Sequence, residues 1–131
     1  MLRPALWVFV GGALGGLARY GLTEAWPTPT NRFPTSTFVV NTTGAFVLAV
    51  LLAALARRSA RPGSDVLRLL LGTGFVGAYT TFSSVMTATD HLVSHGHAAT
   101  GVAYLVGSLL AAVPAVALGS AAGRRVGARA W

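Results

Sequence analysis

Four long apolar stretches constrain this chain more than any other feature. They cover about residues 4–22, 35–56, 66–89 and 98–122, and each is close to the roughly 20 residues that a helix needs to cross the hydrocarbon core of a bilayer. Backbone polar groups must be hydrogen-bonded inside lipid, so each stretch is expected to be helical. The sequence therefore predicts an all-α membrane protein, with residues 1–131 forming a single domain of four transmembrane helices in a lipid bilayer.

The charge content excludes several classes of protein. Only 10% of the residues are charged, against about 25% in an ordinary soluble domain. There is no cysteine to form a disulfide or a thiolate metal site. All ten basic residues are arginine, and they lie at the ends of the apolar stretches, where arginine sets topology and contacts lipid headgroups. The net charge of +7 is therefore interpreted as a membrane signal, and no nucleic-acid partner is expected.

The distribution of arginine predicts the orientation in the membrane. With four spans, the N-terminus, the second connector and the C-terminus lie on one side, which carries eight arginines, whereas the opposite side carries Arg32. The eight are Arg3, Arg57, Arg58, Arg61, Arg68, Arg124, Arg125 and Arg129. Because arginine-rich segments stay in the cytoplasm, we expect a multi-pass protein of the cell membrane with both termini cytoplasmic and one fixed orientation.

Small residues dominate the first apolar stretch. Gly11 with Gly15, and Gly12 with Gly16, form two overlapping GxxxG pairs. Such pairs let helix backbones approach closely in a membrane, where no hydrophobic force drives helices together. Two interpretations stay open at this point: an interface between subunits, and packing within one subunit.

The third apolar stretch contains a cluster of polar side chains. The segment "GAYTTFSS", residues 77–84, has four hydroxyl groups within five residues, and it lies midway between Arg68 and Asp90. Irregular backbone at membrane depth is tolerated where it is buried in protein or lines an aqueous cavity, and broken membrane helices expose carbonyls that bind ions. The alternative is that these hydroxyls bond only to carbonyls of the preceding helical turn.

Other polar residues also lie within the apolar stretches. Asn41 carries a buried amide that needs a partner, either in a contact between helices or in an ion pathway. Tyr104 and Ser108 are four residues apart and share a helical face. Arg19 either extends to the membrane interface beside Tyr20 or places a positive charge at the mouth of a pore.

No catalytic arrangement is apparent, and no enzyme activity is expected. The carboxylates of Glu24, Asp65 and Asp90 lie near the ends of the spans. This argues against a proton-coupled exporter, which needs a carboxylate inside the membrane. In the connector after Asp90, a solvated loop is favoured over a metal site at its three histidines, His91, His95 and His97.

Four motifs together resemble the small bacterial fluoride channels of the CrcB (Fluc) family. They are "GGALGGLARY", "STFVVNTTGAF", "GTGFVGAYTTFSS" and the pair Tyr104 and Ser108, in this order over essentially the whole chain. The resemblance implies four helices per subunit, with the third helix broken near the bilayer centre, and an antiparallel dimer. It also implies a passive channel that exports fluoride across the cell membrane and so relieves fluoride toxicity.

The resemblance further implies roles for individual residues. The main-chain carbonyls of Gly77 and Thr80 would hold a structural sodium ion at the dimer interface, and no organic cofactor is implied. The edge of an aromatic ring is partially positive, and hydroxyl and amide groups are neutral donors. Such groups suit a conduction pathway, which must bind an ion weakly enough to release it. The implied fluoride pathway is lined by Asn41, Phe82, Thr81, Ser83, Tyr104 and Ser108.

Two features depart from the family pattern. Val85 stands where the family usually has a second aromatic residue, three positions after Phe82, and the arginine bias opposes the dual insertion that an antiparallel homodimer requires. Both favour the hypothesis that this subunit pairs with a paralogous subunit of opposite orientation. Two alternatives stay open: a small four-helix proton-coupled multidrug exporter, and a supporting subunit of a heterodimeric fluoride channel.

Overall fold

The regular structure of this protein is helical throughout the part that the computed structural model describes, residues 2–56 and 63–129. Helix α1 covers Leu2–Ala25 and α2 covers Thr35–Ala56. The last helix, α6, covers Ala98–Arg129 and continues through Pro114. Arg57, Arg58 and Arg61, on which the predicted orientation partly depends, lie outside the described residues.

The third apolar stretch is built from several short segments. They are α3 (Ser64–Leu67), a π-helix at Arg68–Val76, α4 (Gly77–Tyr79) and α5 (Phe82–Ser94). Between α4 and α5, Thr80 and Thr81 have extended backbone, with ψ angles of 155° and 113°. The apolar pattern of the sequence does not predict the π-helix, a rare conformation that is frequent at functional sites.

Within the described ranges, four helical stretches are long and apolar enough to cross a membrane: Arg3–Ala25, Thr35–Ala56, Ser64–Ser94 and Ala98–Ala128. The prediction of an all-helical chain with four candidate membrane spans is thereby confirmed. Three of the four stretches continue past the ends expected from hydropathy, because helical hydrogen bonding does not stop where side chains become polar. As one consequence, His91 lies on α5 and not in a loop.

Glycines bring α1 into close contact with the π-helix. A Cβ atom on Gly11 would overlap the carbonyl oxygen of Leu70, and one on Gly15 would overlap the carbonyl oxygen of Phe75. A Cβ atom on Gly16, in contrast, would meet no atom of another part of the described chain within 4 Å. One of the two GxxxG pairs therefore serves packing within the subunit.

The interior of the subunit is small. α2 packs along α6, and α5 packs against the beginning of α6. The largest fully buried side chains are Tyr104, Leu92, Val40 and Val85. Many large apolar side chains, among them Phe9, Leu110 and Val113, are instead exposed on the outside. Such a surface is suited to contact with lipid or with another subunit.

Candidate functional site

Asn41 on α2 holds the extended backbone between α4 and α5. Its Nδ2 donates to the carbonyl oxygen of Thr81 at 2.9 Å, and its Oδ1 accepts from the Thr81 N–H at 2.8 Å. These two bonds fix the orientation of the amide, because its nitrogen must face an acceptor and its oxygen a donor. An asparagine amide has two N–H donors, so neither bond uses the second one.

Two main-chain carbonyls lose their usual helical partners at this point. In a continuous α-helix, the Thr81 N–H would donate to the Gly77 carbonyl and the Ser84 N–H to the Thr80 carbonyl. Here the Thr81 N–H donates to Asn41, and the Ser84 N–H donates at 3.2 Å to the hydroxyl of Thr81, which caps α5. The carbonyls released at this interruption include those of Gly77 and Thr80, the two residues expected to hold sodium.

The position of Thr80 depends on a glycine that the sequence analysis did not select. A Cβ atom on Gly44 of α2 would overlap the γ-methyl group of Thr80. The Thr80 hydroxyl donates to the Val76 carbonyl at 2.9 Å, and the hydroxyls of Thr43 and Tyr79 lie 3.1 Å apart. The motif "NTTGAF" contains both Asn41 and Gly44, but their respective partners, Thr81 and Thr80, lie some 40 residues away in sequence, so no local signal indicates the contact.

Arg19 is directed toward the extended segment. Its Nη1 donates to the Thr80 carbonyl at 3.5 Å, and its side chain is half-buried. Together with Tyr20, Thr37, Thr81 and other residues it lines a cavity of about 230 Å³, which we call the arginine cavity. The arrangement places a positive charge beside the extended backbone at Thr80 and Thr81.

A larger concave surface adjoins the arginine cavity. This hydroxyl cleft, of about 600 Å³, is lined mostly by serine and threonine and extends to His91 near the end of α5. Thr23, Thr37 and Ser84 line both the cleft and the arginine cavity. The predicted residue Ser83 lines the cleft, and its hydroxyl lies 3.1 Å from that of Thr81. Thr23, Thr37 and Ser84 were not among the predicted site residues, although Ser84 belongs to the polar cluster.

A third cavity contains most of the predicted pathway residues. This phenylalanine cavity, of about 290 Å³, is lined by Asn41, Thr81, Phe82 and Ser108, together with Val85 and several apolar residues. The Phe82 side chain is 61% exposed, so its ring is accessible in the isolated subunit. Thr81 lines both this cavity and the arginine cavity and thus lies between the two.

Two polar residues of α6, Tyr104 and Ser108, have buried hydroxyl groups. The Ser108 Oγ has no hydrogen-bond partner among the described residues, whereas the Tyr104 hydroxyl lies beside the side chain of Thr37. The Tyr104 ring packs edge-on against Phe33, with centroids 5.2 Å apart, and it does not line the phenylalanine cavity. An unpaired buried hydroxyl is costly, so the Ser108 hydroxyl is available to an ion or to water.

A known family model matches most of the chain. The family model described as CrcB-like protein, Camphor Resistance (CrcB), matches residues 6–120. Curated relatives of the chain carry names that state an activity, and three of them are described next.

Two of these relatives come from Streptomyces avermitilis and one from Acidobacterium capsulatum, and all three are named fluoride-specific ion channels. FluC 3 of S. avermitilis is 45% identical over 93% of this chain and 59% of its own length. FluC of A. capsulatum is 42% identical over 92% of this chain and 96% of its own length. FluC 2 of S. avermitilis is 41% identical over 78% of this chain and 63% of its own length. The chain thus spans less than two thirds of each of these two S. avermitilis relatives.

Proposed function

This chain belongs to the CrcB-like family, and we propose that it forms a fluoride-specific ion channel that exports fluoride from the cell. The family comprises ion channels and not enzymes, and with four candidate spans the chain is a multi-pass membrane protein. The observation that carries the proposal is the phenylalanine cavity, in which Asn41, Phe82 and Ser108 come together without a charged side chain.

The three cavities suggest an order of events for the ion. With both termini in the cytoplasm, the connector between α1 and α2 and the end of α5 face the outside. Exported fluoride therefore leaves through the hydroxyl cleft, where serine and threonine hydroxyls replace part of its hydration shell. Arg19 raises the local concentration of anions beside Thr81. On the inner side of Thr81, fluoride meets neutral donors only: the second N–H of Asn41, the Ser108 hydroxyl and the edge of the Phe82 ring. Weak neutral sites let the ion leave as readily as it enters.

We assign a structural sodium ion to the carbonyls of Gly77 and Thr80. The residues fit such an ion, because the helical donors of both carbonyls are diverted and neutral carbonyl oxygens at a helix break suit a hard cation. Arg19 also donates to the Thr80 oxygen, but a carbonyl oxygen has two lone pairs. When bound, sodium supplies a positive charge that two subunits can share, each through its own carbonyls.

We propose that the channel is an antiparallel dimer with a paralogous subunit of opposite orientation. Gly77, Phe82 and Ser83 are exposed in the isolated subunit, which is consistent with a second subunit at the helix break near the bilayer centre. Val85 lines the phenylalanine cavity with an aliphatic side chain, so a second ring would have to come from the partner. That S. avermitilis has two of the relatives described above supports pairing between paralogues.

Two other functions have less support. For a proton-coupled multidrug exporter, the carboxylates of Glu24, Asp65 and Asp90 are all exposed at or near helix ends, where they cannot carry protons through the membrane. A supporting role in a heterodimeric fluoride channel is favoured by Val85 alone. It differs from the main proposal in that Phe82 of this chain would not contact fluoride.

Fluoride efflux from proteoliposomes tests the proposal. The chain is reconstituted alone and together with a second family member, and released fluoride and chloride are measured with ion-selective electrodes. We expect the pair to release fluoride and retain chloride, and Phe82→Ile to slow release by about 10-fold or more, because an aliphatic side chain has no positive edge. The matched control is Phe9→Ile, since Phe9 is 73% exposed on α1 and lines no cavity described above.

The outcomes separate the parts of the proposal. No fluoride release from either preparation would overturn the channel function. Full release by the chain alone would overturn the need for a paralogous partner and leave the channel function intact. Release that Phe82→Ile does not change would leave the supporting role as the better interpretation.

A further inference from the structure

We propose that a groove near the C-terminal ends of α2 and α6 binds an anionic phospholipid of the bilayer. The groove has a volume of about 450 Å³ and lies between these two helices. We call it the α2–α6 groove. Its walls include Ala49, Ala53 and Ala56 on α2, and Val116, Ser120 and Arg124 on α6.

Small residues on both helices create the α2–α6 groove. The three alanines of α2 are spaced four and three residues apart, so they share one face of the helix. On α6, Gly119 and Gly123 approach α2 so closely that a Cβ atom on either would overlap a carbonyl oxygen of α2. Because alanine side chains are short, they do not fill the space beside this contact. Val116 and Ala56 are exposed along it, so the groove is accessible from the bilayer.

The groove changes from apolar to cationic along α6. Val116, Ser120 and Arg124 follow one another at intervals of four residues, so they line one face over about 12 Å at the rise of an α-helix. Val116 lies within the last apolar stretch, and Arg124 lies just past its end. An acyl chain can therefore lie against Val116 and the alanines of α2, while Arg124 is at the depth of the lipid phosphate.

The charge of the groove favours an anionic lipid over a zwitterionic one. Among the described residues that line it, Arg124 alone is charged, and its side chain is exposed. A guanidinium group presents a planar fork of N–H donors that matches the oxygens of a phosphate. Basic pockets between membrane helices on the cytoplasmic side bind anionic headgroups, and the predicted orientation places the end of α6 on that side.

The α2–α6 groove is separate from the proposed fluoride pathway. It shares no lining residue with the arginine cavity, the hydroxyl cleft or the phenylalanine cavity. The groove lies near the end of α2, whereas the hydroxyl cleft contacts the beginning of that helix at Ser36 and Thr37. Nothing in the proposed conduction of fluoride requires the lipid.

Lipid binding to the purified full chain tests the inference. The protein in detergent is titrated with phosphatidylglycerol and with phosphatidylcholine of the same acyl chains, and bound lipids are counted by native mass spectrometry. We expect phosphatidylglycerol to bind about 5-fold more tightly, because only its headgroup has a net negative charge. Arg124→Gln should abolish this preference, and Arg124→Lys, which keeps the charge, should retain part of it. The matched control is Arg125→Gln, which removes the same charge from a residue that does not line the groove.

A second pair of variants tests the apolar part of the groove. In Ala56→Leu, the larger side chain would occupy space in which an acyl chain is proposed to lie. We expect both lipids to bind about 4-fold more weakly or worse, the effect of excluding one methylene group from an apolar site. Ala117→Leu is the control, because Ala117 is exposed on α6 and does not line the groove. It should bind both lipids like the unmodified chain.

Several results would overturn the proposal. Equal binding of the two lipids by the unmodified chain would exclude a role for the headgroup charge. A preference that survives Arg124→Gln, or that Arg125→Gln reduces equally, would exclude a site at Arg124. Unchanged lipid binding by Ala56→Leu would place the lipid outside the groove. Lipid bound to the single chain but absent from its dimer would show that a partner subunit covers the groove. The measurement does not involve fluoride, so its outcome is independent of the proposed channel activity.

Discussion

Asn41 combines a structural role with a proposed functional one. Its two hydrogen bonds to Thr81 hold the backbone extended and divert the N–H that would otherwise close the helix onto Gly77. Its remaining N–H is a neutral donor at the phenylalanine cavity. The sequence analysis left open whether this amide was a contact between helices or part of an ion pathway. The geometry shows the helix contact and leaves a donor for the pathway.

Replacing Asn41 with aspartate is expected to disrupt the site. In Asn41→Asp, the second carboxylate oxygen would face the Thr81 carbonyl oxygen, where Nδ2 now donates at 2.9 Å. Two acceptors at that distance repel each other, and a half-buried carboxylate oxygen that faces an acceptor instead of a donor is unfavourable. We expect fluoride efflux to fall by about 10-fold or more, and the melting temperature to fall as the extended segment loses one bond.

Asn31→Asp provides the matched control for this experiment, because Asn31 lies exposed in the turn before α2. The same change of amide to carboxylate there should leave both efflux and melting temperature nearly unchanged. If Asn41→Asp conducted like the unmodified chain, the assignment of Asn41 to the pathway would be wrong. If Asn41→Asp lost conduction but kept its melting temperature, the main role of Asn41 would be to donate a hydrogen bond in the pathway, and not to hold α2 against the extended segment.

At the scale of elements, apolar length predicted the helices but not how the third span is built. A hydropathy profile reports the length and apolarity of a segment. It does not distinguish the hydrogen bonds of an α-helix from those of a π-helix. The π-helix at Arg68–Val76 packs against α1 through Gly11 and Gly15. The extended backbone at Thr80 and Thr81 depends on Asn41. Both features are determined by contacts between helices, which a single stretch of sequence does not reveal.

The contact between α1 and the π-helix predicts an unequal response to two glycine substitutions. In Gly15→Ala, the new Cβ atom would overlap the Phe75 carbonyl, and backbone cannot move aside as a flexible side chain can. We expect a loss of stability of about 1–3 kcal/mol, typical of overpacking. The measurement is a thermal unfolding series in detergent, followed by size-exclusion chromatography of the remaining folded protein.

Gly21→Ala on the same helix is the control, since no atom lies within 4 Å of its new Cβ among the described residues. Alanine also favours helix formation over glycine, so this variant should be as stable as the unmodified chain or slightly more stable. Equal destabilisation by both substitutions would show that flexibility of α1, and not its contact with Phe75, limits stability.

At the scale of the whole molecule, the proposed dimer rests on features that one subunit exposes. The exposed Phe82 ring and the released carbonyl of Gly77 are polar or aromatic features on a surface that otherwise suits lipid. Asn41, Thr81, Phe82 and Ser108 line one cavity, and their roles in a fluoride pathway stay a prediction. Tyr104 lies apart from that cavity, against Phe33, because a helix face shared in sequence does not ensure access to the same space.

The proposal of a paralogous partner depends on how the chain is oriented in the membrane. Eight arginines are predicted on the side of the termini and one on the other, a bias that should fix a single orientation. We expect a C-terminal fusion to green fluorescent protein, which folds in the cytoplasm, to fluoresce. A C-terminal fusion to alkaline phosphatase, which is active only outside the cytoplasm, should be inactive.

Charge variants make this test decisive. Neutralising the helix-end arginines Arg124 and Arg125 to glutamine weakens the bias and should shift part of the population to the opposite orientation, so that the phosphatase fusion gains activity. Arg32→Gln removes the one arginine of the opposite side and should strengthen the original orientation. If the unmodified chain were active in both fusions, it could form an antiparallel homodimer, and a paralogous partner would not be needed. A single orientation would mean that an antiparallel pair requires a second gene product.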